Sequence, residues 1–94
     1  MIFLFCLLVC VVFASPQERY DAGIEFLIDE KSELAVLEFQ KALVAGGIDP
    51  FVYHGLGNAL YRQGEKGLAI VAWRRGLLLD PTNQDLQYNL EFTE

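Results

Sequence analysis

HGLGNALYRQG, residues 54–64, is the stretch on which the fold turns. Gly55 and Gly57 at first suggest a phosphate-cradling loop. A dinucleotide fingerprint would need a third glycine where Leu60 stands, and a strand before it. Leu56, Ala59, Leu60 and Tyr61 are instead good helix residues, which puts Gly57 in mid-helix. A glycine there costs about 1 kcal/mol relative to alanine. The reading that offsets this cost is close approach: a neighbouring helix crosses at Gly57 and uses the space a Cβ would fill.

Working outward, the chain repeats itself at an offset of 34 residues. Pro16 pairs with Pro50, Gly23 with Gly57, Ala35 with Ala69, Phe39 with Trp73, Ala42 with Gly76 and Leu43 with Leu77. Ala22, Leu56 and Leu90 share one position across three copies. A period of this length marks stacked helix-turn-helix units, and it sets Phe39 and Trp73 on one buried face.

Local signals supply the boundaries. Ser15-Pro16-Gln17-Glu18 reads as a capping box with proline at the first helical position, opening a helix to about Asp29. A second helix begins near Ser32 and stops at Gly46-Gly47. Asp49-Pro50 opens a third that Gly64 ends, and a fourth runs from about Lys66 to Leu79 before Asp80-Pro81. Thr82 or Asn83 caps a fifth. No segment alternates with period two long enough to argue for a strand, so the expected class is all-α.

Residues 1–14, MIFLFCLLVCVVFA, are wholly apolar. A spanning helix needs about 20 such residues. The shorter length suits a signal peptide, with Val12 and Ala14 as the small residues before a cut after Ala14, or alternatively a short anchor. Cys6 and Cys10 both lie in this leader, so residues 15–94 hold no disulfide. An export route without disulfides fits a bacterial periplasm or the outer face of the cytoplasmic membrane. The net charge of −6 falls entirely after the leader. An acidic chain of this kind repels nucleic acid and anionic lipid, so neither is expected as a preferred partner.

Catalysis is not expected either. Residues 15–94 offer one histidine, His54, and two serines, Ser15 and Ser32, both at helix starts. No nucleophile-base pair or multi-ligand metal site follows from that set, so no catalytic, cofactor or metal residues are assigned. Asp29, Glu30 and Glu33 span a helix junction without the glycine-centred pattern of a calcium loop. Arg74-Arg75 reads as a solvated helix end, and Glu38 and Lys41 as outer surface.

Tyr53 to Pro81 resembles a complete tetratricopeptide repeat (TPR). Tyr53, Leu56, Gly57, Ala69, Trp73 and Pro81 stand where that family places aromatic, Leu, Gly, Ala, aromatic and Pro. Leu60 and Gly76 depart from the usual Tyr and Ala. In the first copy Gly23, Phe26, Ala35, Phe39 and Ala42 fit, but its end is glycine-rich rather than Asp-Pro. The resemblance implies two repeats, 16–49 and 50–83, stacked as a short right-handed α-solenoid. Residues 84–94 are then the first helix of a partial third repeat or a capping helix. More narrowly, the leader with LVAGG, GNALYRQGEKGLAI and LDPTNQDLQYNLEF is similar to the N-terminal part of bacterial BatE-type aerotolerance proteins. There, exported repeats precede membrane helices.

In that family the first helix of each repeat lines an inner groove. Carried over by position, this implies partner-binding residues Tyr20, Ile24, Phe51, His54, Asn58, Tyr61, Arg62, Tyr88 and Asn89. Gln17, Asp21, Leu27, Ile28, Gly55, Asp85 and Phe92 fall on the same face. The expected function is protein–protein interaction in an exported, membrane-linked assembly, the link running through the leader or a further C-terminal region. A co-chaperone-like receptor for a peptide C-terminus is the alternative, because Asn58 and Asn89 echo a carboxylate clamp with His54 in its lysine position. A purely structural spacer is the third reading.

Overall fold

The computed structural model describes residues 14–94, so the leader reading, apart from Ala14, lies outside the described residues. Five α-helices account for the described chain: α1 (Pro16–Ile28), α2 (Ser32–Val44), α3 (Pro50–Arg62), α4 (Lys66–Leu79) and α5 (Gln84–Thr93). No strand occurs among the described residues. Consecutive helices pack on one another as antiparallel hairpins, and α1 also touches α3. The result is a helical-repeat solenoid of the TPR type.

The caps explain the starts. Ser15 Oγ accepts the Glu18 amide at 3.1 Å, Asp49 Oδ1 accepts that of Phe51 at 2.7 Å, and Asn83 Oδ1 accepts that of Leu86 at 3.0 Å. Asn83, not Thr82, is therefore the cap of α5. Pro16 and Pro50 sit in first turns, where a missing N–H costs no hydrogen bond. α2 and α4 have no side-chain cap, because each follows the preceding helix within a three-residue turn.

Two of those turns share one conformation with different residues. At Gly64, φ is +89°, and the Glu65 amide donates to Leu60 O at 2.9 Å, a Schellman closure. At Glu30, φ is +60°, with Lys31 donating to Phe26 O at 2.8 Å. Glu30 thus holds a left-handed backbone at the position glycine fills one repeat later.

The core runs between the two helix layers. Phe39 (0% exposed) lies between Gly23 on α1 and Gly55 on α3. A methyl on Gly55 would stand 2.6 Å from Phe39 Cζ, and one on Gly23 2.7 Å from Cε1. Trp73 presses its indole on Gly57, as the mid-helix glycine implied, and Gly76 makes room for the buried Leu86 of α5. Gly55 and Leu27, assigned to the groove by position, are core residues here, because the helix rotation turns them toward Phe39 and its neighbours. Glu38 is likewise not a free surface residue: Arg19 reaches it at 3.2 Å and Lys41 at 3.6 Å.

Candidate partner-binding face

α1, α3 and α5 carry the residues expected to meet a partner. Their periodicity fixes which side chains share a face; the structure shows that these do not form one pocket. At one end, Pro16, Gln17, Tyr20, Gly47, Asp49, Phe51 and Val52 line a depression of about 360 Å³. Phe51 is exposed there, because its backbone is the first turn of α3 and nothing packs above it. Tyr20 leans on Phe39, ring centroids 5.8 Å apart, so its ring is partly structural. Burial, then the negative charges of Asp49 and Asp21, push its pKa up from 10.0. The phenol therefore stays a neutral donor throughout the physiological range.

In the middle, three of the expected residues come together. Asn89 Nδ2 donates to Asn58 Oδ1 at 3.3 Å and meets His54 Nε2 at 3.3 Å. Which way the Asn89–His54 contact runs follows the tautomer of the imidazole. Burial lowers the His54 pKa from 6.5, with Asp85 opposing as the lesser effect. The ring is thus neutral at pH 7. A carboxylate clamp needs a cation here, which a neutral imidazole does not supply, and Asn89 already donates to Asn58.

Arg62 is used differently from its sequence reading. Its Nη1 donates to Leu27 O at 2.9 Å, crossing from the end of α3 to the last turn of α1. A guanidinium there satisfies a terminal carbonyl and faces the negative end of the α1 dipole. Ile24 packs against the core, and Tyr61, half out in solvent, rests on Trp73 with centroids 5.9 Å apart. Tyr88 and Phe92 stack at 6.0 Å on the open side of α5, 65% and 74% exposed.

The nine residues therefore divide. Phe51, Tyr88 and the Tyr20 hydroxyl are open to a ligand; His54, Asn58, Asn89 and Arg62 are engaged within the fold; Ile24 and Tyr61 are supports. Phe92, outside the nine, joins the open group. Among the described residues no cluster of three or more His, Cys, Asp or Glu could hold a metal ion.

With this geometry in view, comparison with known proteins adds one finding. Residues 50–83 match the tetratricopeptide repeat family. That span is α3, α4 and the turn after them, the segment whose glycines and tryptophan carry the core. No curated protein matches the chain. Repeats of this class generally mediate protein–protein interaction, and typically as non-catalytic scaffolds.

Proposed function

We propose that this chain is a protein–protein interaction module whose α1–α3–α5 face receives a segment of a partner protein. The observation that supports this is the set of solvent-exposed aromatics on those helices: Phe51, Tyr88 and Phe92 are each more than 60% exposed. Aromatic side chains in open positions on a rigid scaffold are the usual source of contact energy, and the Tyr20 hydroxyl adds a directional donor. We further propose the finer setting: an exported assembly linked to a bacterial membrane, like the N-terminal part of BatE-type proteins. The apolar leader supports that setting.

The test is site-specific photocrosslinking in cells from Gln17, beside Phe51, from Asp85, one turn from Tyr88, and, as a control, from Lys66. Crosslinks to one protein from the first two positions, lost in Phe51→Ala with Tyr88→Ala, would support the reading. Capture that survives the double substitution with unchanged affinity would remove this face from the interaction. Hot-spot truncation typically costs about 2 kcal/mol, or roughly thirtyfold in Kd.

A further inference from the structure

The depression at the start of α1 and α3 is formed by a close approach that glycine permits. A Cβ on Gly47 would stand 2.8 Å from Pro16 Cβ and 2.9 Å from Ala42 O, so the loop before α3 closes against the first turn of α1 only without one. Tyr20 and Phe51 line the hollow from neighbouring helices, and Phe51 keeps 63% of its surface in solvent.

Two carboxylates stand at the same place. Asp49 lines the depression, and one of its oxygens accepts the Phe51 amide. Asp21 lies one turn along α1 from Gln17, another lining residue, and accepts its side-chain amide at 2.9 Å. Neither carboxylate is ion-paired among the described residues. Both charges are felt at the Tyr20 hydroxyl, whose pKa is raised by burial first and then by Asp49 and Asp21. The acidity continues along the layer: residues 14–30, 45–64 and 80–94 hold ten acids and two bases. Both bases are engaged, Arg19 with Glu38 and Arg62 with Leu27 O.

Electrostatics separates the side chains that could enter such a hollow. An acidic one would meet the N-termini of α1 and α3, each equivalent to about half a positive charge. Pro16 and Pro50 remove one amide donor from each, and Ser15 and Asp49 occupy one more apiece. The full negative charges of Asp49 and Asp21 outweigh what remains. An apolar side chain would take water from those carboxylates and offer them no partner, which is unfavourable. A cation gains on both counts. Its head over an exposed aromatic face contributes about two- to fivefold in affinity, and the carboxylates supply the opposite charge.

We propose that this depression receives a lysine or arginine side chain of the partner segment, its cationic head on the Phe51 ring and beside the Asp49 and Asp21 carboxylates. The apolar stem of such a side chain lies along Tyr20. The inference rests on the α1–α3–α5 face being the one that receives a partner, and it adds the chemistry of that partner: a segment carrying a basic residue.

The test titrates the full chain, isotope-labelled and held in a non-ionic detergent, with three blocked glycine–serine peptides that differ only in a central lysine, norleucine or glutamate. The amide resonances of Gln17, Tyr20, Phe51 and Val52 should move with the lysine peptide and stay still with the other two. Asp49→Asn removes the charge but keeps a capping oxygen for α3, so the fold is retained. Asp21→Asn and Asp49→Asn should each weaken the lysine peptide by roughly two- to fivefold, and Phe51→Leu by a similar factor. Glu91→Gln, an exposed charge on α5, should not weaken it. Raising salt from about 0.1 to about 1 M shortens the Debye length from about 10 to about 3 Å and should weaken it as well. Lysine and norleucine peptides that bind alike overturn the inference. A glutamate peptide that binds better overturns it in favour of an anion at the helix N-termini. A doubled mass without peptide, lost with Asp21→Asn and Asp49→Asn, overturns it in favour of a basic residue of a second copy. A partner crosslinked from Gln17 whose capture falls with Phe51→Ala and Tyr88→Ala, yet not with Asp21→Asn and Asp49→Asn, overturns the basic side chain and leaves the interaction reading standing. No crosslinked partner at all overturns both.

Discussion

Gly55→Ala and Gly67→Ala add the same methyl group to two helices, yet they should move stability in opposite directions. At Gly55 the new Cβ would lie 2.6 Å from Phe39 Cζ and 2.7 Å from Cε1. The ring has little room to retreat, because its Cε1–Cζ edge also rests on Gly23 and the side chain is fully buried. Overpacking of this kind costs about 1–3 kcal/mol, against about 1 kcal/mol gained in helix propensity, for a net loss of roughly 1 kcal/mol. At Gly67 a Cβ would meet nothing within 4 Å, so the propensity gain stands, up to about 1 kcal/mol. For a domain of this size each kcal/mol moves Tm by about 4–8 °C, so the two variants should melt roughly 10 °C apart. Thermal and urea unfolding of residues 15–94, followed by circular dichroism, measures this. A cycle with Phe39→Leu sharpens it. Removing the ring carbons should make Gly55→Ala less costly by about 0.5 kcal/mol or more. If Gly55→Ala raises Tm as Gly67→Ala does, or if the cycle is additive, the glycine–aromatic contact does not organise this core.

Three further outcomes follow from particular residues. Glu30→Gly should stabilise by roughly 0.5–1 kcal/mol in urea titration: the left-handed backbone costs Glu about 1–2 kcal/mol, part of which glycine returns as chain entropy in the unfolded state. Because burial holds the His54 pKa below 6.5, the unfolded chain takes up a proton first as pH falls. Its stabilising contribution should therefore be complete above pH 6.5 and decline below it, down to the lower folded pKa, and His54→Gln should flatten that slope in pH-dependent melts. Deleting residues 84–94 removes Leu86 and Leu90 from α4 and uncovers Gly76, so Tm should fall or the chain should aggregate; an unchanged melt would show α5 to be undocked.

What was legible in the sequence is what recurs within it. Phe39 on Gly23 and Trp73 on Gly57 repeat at one offset, so their pairing could be read before any coordinates. The contact of Gly55 with Phe39 joins two different repeats, and the positions 34 residues either side hold Asp21 and Asn89, so no periodicity announced it. The strained turn at Glu30 left a readable sign, since the same offset sets it against Gly64. Glu38 left none, because its partner Arg19 is on another helix and the pairing depends on how α1 and α2 are rotated.

The candidate face follows the same rule. Helical spacing placed Asn58 and Arg62 on one side, but not their occupations, which depend on distances between helices. Asn89 takes the position that Gly55 holds one repeat earlier; where the glycine admits an aromatic ring, the amide ties α5 back to α3. That exchange commits the polar centre of the face to holding its own helices in register. In the proposed interaction, selectivity for a partner then falls to Phe51 at one end and to Tyr88 and Phe92 at the other, the side chains that the fold leaves uncovered.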